Sequence, residues 1–404
     1  MKRVVLGKYL LISFLVTAIM ALGTEQSTSQ AADEKPINDE MHSMAENVQK
    51  IIPYLFSEEK FTADKNYTII NDSLSAIVAK LRHVKNHSQI QSTGKQITIE
   101  KLREQMTEAL YHFTTQRKVV AKMEITSLLN LCVNCHTQVA GSSTSKIFGT
   151  LNIKEMDLSN YEKATVYFLT RDYEMALSLL RKLVTNPNNK DLETPFVREK
   201  SLNYILTYFL RLKSDLDATQ NELESLVVNK TTEKYILHKI IGWKTEIKKL
   251  KLQAQELAKL KNDKDIEKFI DHNLPKIEQN DINDLFEEKE ITALYFSGIL
   301  SDYLDRQTGN QLGSKLQSKI LYWLAIYDKR LNSQLFYSLG DAYLQLCIKQ
   351  TPHSLIAQQC YQVMEEDTLF HYSGSRGTNV PENVNAELIR WKNLSELKIP
   401  KKKK

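Results

Sequence analysis

An all-α protein is what this sequence predicts, on three observations. Glycine and proline are scarce, at 12 and 8 of 404 residues, against typical usage of roughly 7% and 5%. Frequent β-turns are therefore not available to it. Apolar residues recur at three- and four-residue steps along most of the chain, and hydrophobic residues make up 42%, enough to bury real cores. The architecture expected is a four-helix bundle over residues 37–141, a linker at 142–158 and a solenoid of helical hairpins over 159–370. A C-terminal loop, short helix and basic tail fill 371–404.

The first 23 residues read as a signal peptide. Lys2, Arg3 and Lys8 precede an apolar stretch over 9–23, and Ala21, Leu22 and Gly23 supply small residues for cleavage near Gly23. Fifteen apolar residues fall short of the roughly 20 that span a membrane. The expectation is a periplasmic protein with no stable membrane insertion after cleavage; an uncleaved anchor is the alternative. Residues 24–36 are polar and read as an exposed mature N-terminus.

Four amphipathic blocks follow. Met41, Met44, Val48, Ile51 and Leu55 line the first, and Ile70, Leu74, Ile77, Leu81 and Val84 the second. Ile99, Leu102, Met106, Leu110 and Phe113 line the third. The fourth holds Val119, Val120, Met123, Leu128, Leu129 and Leu131. Polar connections separate the first three, which suits an up-down-up-down bundle. His42, His83, His87 and His112 read as surface or boundary histidines.

The fourth block ends in Cys132-Val133-Asn134-Cys135-His136, the CxxCH spacing of covalent haem attachment. Thiols three positions apart on a helix can each form a thioether to one vinyl group, and the adjacent imidazole then reaches the iron. A zinc site needs further ligands at short spacing, and the nearest other cysteine is Cys347. A redox CxxC expects a βαβ context, which is missing.

The segment 39–139, and within it QMTEALYHFTTQRKVVAKMEITSLLNLCVNCHTQ, resembles cytochrome c′ and its six-coordinate relatives. The resemblance covers about a quarter of the chain, and CxxCH is its one sharp motif. It implies an antiparallel bundle with one covalent haem c near an open end, thioethers at Cys132 and Cys135, and His136 as proximal iron ligand. Members of that family commonly end soon after the motif, whereas this chain continues for more than half its length. In an up-down-up-down bundle the start of the first helix lies at the end where the fourth finishes. Met44 or Met41 is thereby placed as a distal iron ligand; the alternative is that both are core filler.

After the Gly/Ser/Thr-rich stretch 141–146 the pattern changes. Ala164, Tyr167, Ala176 and Leu180, with Pro187 beyond, resemble the small, aromatic, small and large positions of a tetratricopeptide repeat. Further hairpins are degenerate: 202–212 with 216–228, then 235–250, a long exposed helix over 248–270, then 285–304 and 316–331. A last hairpin turns at Thr351-Pro352-His353. Cys347 and Cys360 flank that turn symmetrically, so in an oxidising compartment they are expected to form a disulfide; two free buried thiols are the alternative. The glycine-rich stretch 373–378 lacks the Lys-Ser/Thr of a phosphate loop and reads as a tight loop against the last hairpin.

The formal charge of +5 falls to −2 once the three basic leader residues and the four terminal lysines are set aside. The body has no electrostatic footprint for nucleic acid. No Ser/His/Asp or paired-carboxylate arrangement stands out, so no enzyme is expected. The function expected is outer-sphere electron transfer by an exported mono-haem cytochrome, with the helical-repeat half docking a redox or signalling protein partner. A five-coordinate haem protein that binds or senses nitric oxide or carbon monoxide is the alternative. The resemblance also allows a homodimer through the first two bundle helices.

Overall fold

The computed structural model describes residues 37–87, 90, 92–137, 152–185, 195–228, 234–260, 262–275, 289–306, 313–331, 338–375 and 377–397. The leader, the stretch 141–146 and the terminal lysines lie outside them. The protein is all-α: sixteen α-helices are described, and the only strands among the described residues form one two-residue hairpin, Ser373–Gly374 with Gly377–Thr378. Among the described residues no helix is long and apolar enough to cross a membrane.

The N-terminal helices are α1 (Ile37–Leu55), the short α2 (Glu58–Thr62), α3 (Tyr67–Lys85), α4 (Thr93–Thr114) and α5 (Lys118–Thr137). Asp39 and Glu40 occupy the first turn of α1, where carboxylates complement the helix dipole. Helix α1 packs on α3, α3 on α4 and α4 on α5, while α2 and α1 lie against α5. Ile51, Leu55, Ile70, Leu74, Leu81, Phe113, Ile125 and Leu131 fill the space between them. At one end Phe61 meets Phe113 edge-on, Tyr67 stacks on Phe113, and the Lys118 ammonium lies over the Tyr67 ring.

Over its first turns the inward face of α5 differs from the sequence reading. Ala121, Ile125 and Leu128 face the core, whereas Val119, Val120 and Met123 are exposed. The apolar run at its start spreads over more than one face, so Val119, Val120 and Met123 fall outside the core while Leu128, Leu129 and Leu131 lie within it as expected. His87, read as a surface or boundary residue, is buried.

The second half comprises α6 (Asn160–Leu169), α7 (Tyr173–Thr185), α8 (Pro195–Leu206), a π-helical segment (Thr207–Leu212) and α9 (Leu216–Val228). Next come α10 (Lys234–Leu257), α11 (Asp263–His272), α12 (Glu290–Arg306) and α13 (Ser314–Leu331). The last are α14 (Gly340–Gln350), α15 (Leu355–His371) and α16 (Glu382–Ser395). The long helix expected over 248–270 is two: α10 ends at Leu257, and the Asn262 side chain accepts from the Asp265 N–H to start α11. The π-helical segment packs on α12, where Gly298 lets the backbones close; a Cβ there would lie 3.3 Å from the Arg211 Cα.

Tight turns follow one plan. Gln116, Arg171, Ser214 and His353 each adopt a left-handed backbone, with φ of 64, 61, 51 and 61°. They close the turns into α5, α7, α9 and α15. In the first two, the N–H beyond the left-handed residue returns to a carbonyl five residues back, Arg117 to His112 and Asp172 to Tyr167, as helix C-caps do. A chain poor in glycine thus places ordinary residues where glycine is cheapest.

The halves meet at the amino end of α4. The Ser92 hydroxyl donates to Asp305 Oδ1 at 2.9 Å, and the Gln317 amide donates to Thr93 Oγ1 at 2.6 Å. Helices α12 and α14 both touch α4, and α6 and the π-helical segment touch α5.

Candidate functional site

Helix α5 continues through the whole of Cys132-Val133-Asn134-Cys135-His136 and ends at Thr137. At 3.6 residues per turn, positions 132, 135 and 136 share one face, while Val133 belongs to the core. Cys132 is a free, half-buried thiol. Burial pushes it up to about 11, and the charge of Arg171 in the α6–α7 turn acts weakly the other way. A thiol so protonated is a poor nucleophile for disulfide exchange. The side chains of Cys135 and His136 lie outside the described residues.

The direction of α1 follows from Lys118. Its ammonium, at the start of α5, donates to the Thr62 carbonyl at 3.0 Å and to Asp64 Oδ1 at 2.7 Å, at the end of α2, the short helix that follows α1. Helices α1 and α5 therefore run antiparallel, and the start of α1 lies at the end where α5 finishes. Met44 is buried in the core there, Met41 is half-buried against it, and His42 is exposed. Lys80 of α3 pairs with the buried Glu40 at 2.8 Å, so the acid in the first turn of α1 is neutralised.

The donor types suit a c-type haem: two thiols and an imidazole within five residues of sequence, and thioether sulfurs on the helix that begins at that end. What the sequence could not show is the environment of the motif. Arg171 and the α6–α7 turn come from the second half of the chain, through the contact of α5 with α6.

The remaining candidate residues lie elsewhere. Cys347 on α14 and Cys360 on α15 are joined by a disulfide, with Cα atoms 6.5 Å apart and both side chains fully buried. The stretch 373–378 is a small β-hairpin whose described residues are all exposed, so it does not pack as a loop against the last helices. Compared with protein families, curated proteins and solved structures, the chain finds no match.

Proposed function

We propose that the chain is an exported mono-haem c-type cytochrome that carries electrons and docks a protein partner through its second half. The observation that carries this reading is CxxCH in the last turns of α5, at the end where α1 begins with Met41 and Met44. In this reading α1, α3, α4 and α5 are a cytochrome c′-like four-helix bundle, supported by their consecutive packing and by the contact of α5 with α1. Cys132 and Cys135 hold the group covalently, His136 is its proximal ligand, and Met41 or Met44 approaches from α1. Bound haem c supplies one-electron chemistry. The chain's own part is to orient the group, exclude water and pair Glu40 with Lys80 beside it.

The Cys347–Cys360 disulfide supports an oxidising compartment, in keeping with the apolar leader. The hairpins from α6 onward support a degenerate tetratricopeptide-like solenoid, a common protein-docking architecture. The packing of the π-helical segment on α12 departs from a regular repeat.

The test is an absorption spectrum of the full chain matured with the haem c machinery, oxidised and reduced, with and without carbon monoxide. Sharp low-spin reduced bands that ignore the gas are the expected result. A chain that acquires no covalent haem overturns the reading. One observation favours the gas-binding alternative, namely that Met44 is packed within the apolar core. High-spin bands that shift with carbon monoxide would then replace electron transfer by gas binding.

A further inference from the structure

We propose that Glu108, His112 and Glu124 form a binding site for a zinc-class divalent cation at the end of the N-terminal helices opposite Cys132. Glu108 and His112 are four residues apart on α4 and so share a face. Glu124 meets them from the first turns of α5. His112 Nδ1 lies 2.9 Å from both oxygens of Glu124, and one donor atom from each of the three residues falls within 4.8 Å of the others.

These separations suit a shared ion. Zinc binds imidazole nitrogen and carboxylate oxygen at about 2.0–2.2 Å, so two ligand atoms in its tetrahedral shell stand roughly 3.3 Å apart. His112 and Glu124 are already near that spacing, and Glu108, exposed and flexible, closes by rotating. The charge balance points the same way. Among the described residues neither Glu108 nor Glu124 is paired with a lysine or arginine, and the hydrogen bond Glu108 receives comes from Gln105 at 3.4 Å. Two carboxylates thus converge on one imidazole.

The frame is rigid. The carbonyl of His112 accepts the Arg117 N–H at 2.8 Å in the closed α4–α5 turn, which fixes the two helices at the site. One nitrogen with two oxygens favours a first-row metal over magnesium or calcium, which take oxygen sets. Three protein ligands leave coordination open to water or to a group from a bound partner. Glu124 precedes His136 by twelve residues, roughly 18 Å along α5, so the site is independent of the proposed haem.

The test is a calorimetric titration of the chelator-stripped full chain with zinc chloride, with magnesium chloride as the comparison. One saturable zinc per chain is expected, with a rise in Tm on binding and no comparable magnesium site. His112→Ala should abolish it, and Glu124→Gln and Glu108→Gln should each weaken it by roughly tenfold or more. Glu108 is exposed, so Glu108→Gln folds as the parent does and its effect reads the ligand alone. No saturable zinc on the folded parent chain overturns the proposal. So does unchanged affinity in Glu108→Gln together with His112→Ala, or equal binding of magnesium.

Discussion

Asp328, on α13, lies against the amino end of α14, and all its described donors converge on one oxygen. The Ser338 hydroxyl and the Leu339 and Gly340 N–H groups reach Oδ2 at 2.8, 2.9 and 2.9 Å. Burial nevertheless dominates and pushes the carboxyl up to about 6, with those bonds and the nearby Arg211 charge pulling it down. The native state therefore holds this proton more tightly than the unfolded chain, whose ordinary value is 3.8. The stabilisation is complete below about pH 4 and is lost as pH rises through 6, a span worth about 3 kcal/mol. Asp328→Asn keeps an oxygen for the three donors and removes the titration. Its urea-unfolding free energy should lack the fall between pH 4 and 7 that the parent shows, and an unchanged slope would refute the assignment. Nothing in the sequence marks Asp328, because its partners are a hydroxyl and two backbone N–H groups ten to twelve residues on. The same limit applies to His112, whose Glu124 partner lies across a turn. CxxCH, by contrast, was legible as a motif because its spacing alone defines it, and the structure adds its helical setting.

Among the elements, the left-handed turns carry a cost that can be measured. A non-glycine residue at φ near 60° costs roughly 1 kcal/mol, and glycine there gives part of it back in chain entropy. Gln116 is exposed and at φ 64°. Gln116→Gly should therefore raise stability by about 0.5 kcal/mol in urea unfolding, while Gly377→Ala, at φ 95°, should lower it. Matching signs in the two variants would contradict this account. Helix positions were largely readable from three- and four-residue periodicity, and Ile70, Leu74, Ile77, Leu81 and Val84 of α3 are all buried. The exceptions have local causes. At the start of α5 the apolar residues spread beyond one face, and the charged run 248–270 hid an N-cap at Asn262. The π-helical segment left no sequence signal, since its extra residue is accommodated by Gly298 on a helix ninety residues later.

At the scale of the whole molecule, the sequence suggested a linker between two halves, and the structure stitches those halves together. Periodicity tells which face of a helix is apolar and is silent on which helix covers it, so the contacts of α4 with α12 and α14 could not be read. Gly94 sits at the centre of that junction. A Cβ there would collide with Asp305 Oδ1, and Asp305 cannot yield without giving up the Ser92 hydroxyl. Burial already holds its carboxyl above the usual range. Gly94→Ala is expected to cost about 1–3 kcal/mol, although alanine is the better helix former. Gly242, on α10 with open space around it, supplies the contrast: Gly242→Ala should gain up to about 1 kcal/mol. If both variants gain, the junction does not constrain Gly94. The bond from Ser92 to Asp305 also spans 213 residues of chain, which fixes an order of events in time. Contacts between neighbouring helices close short loops and form early, while a bond across so long a loop must wait for both sides to be built. A refolding chain is therefore expected to close the contacts among α1, α3, α4 and α5 before α4 meets α12.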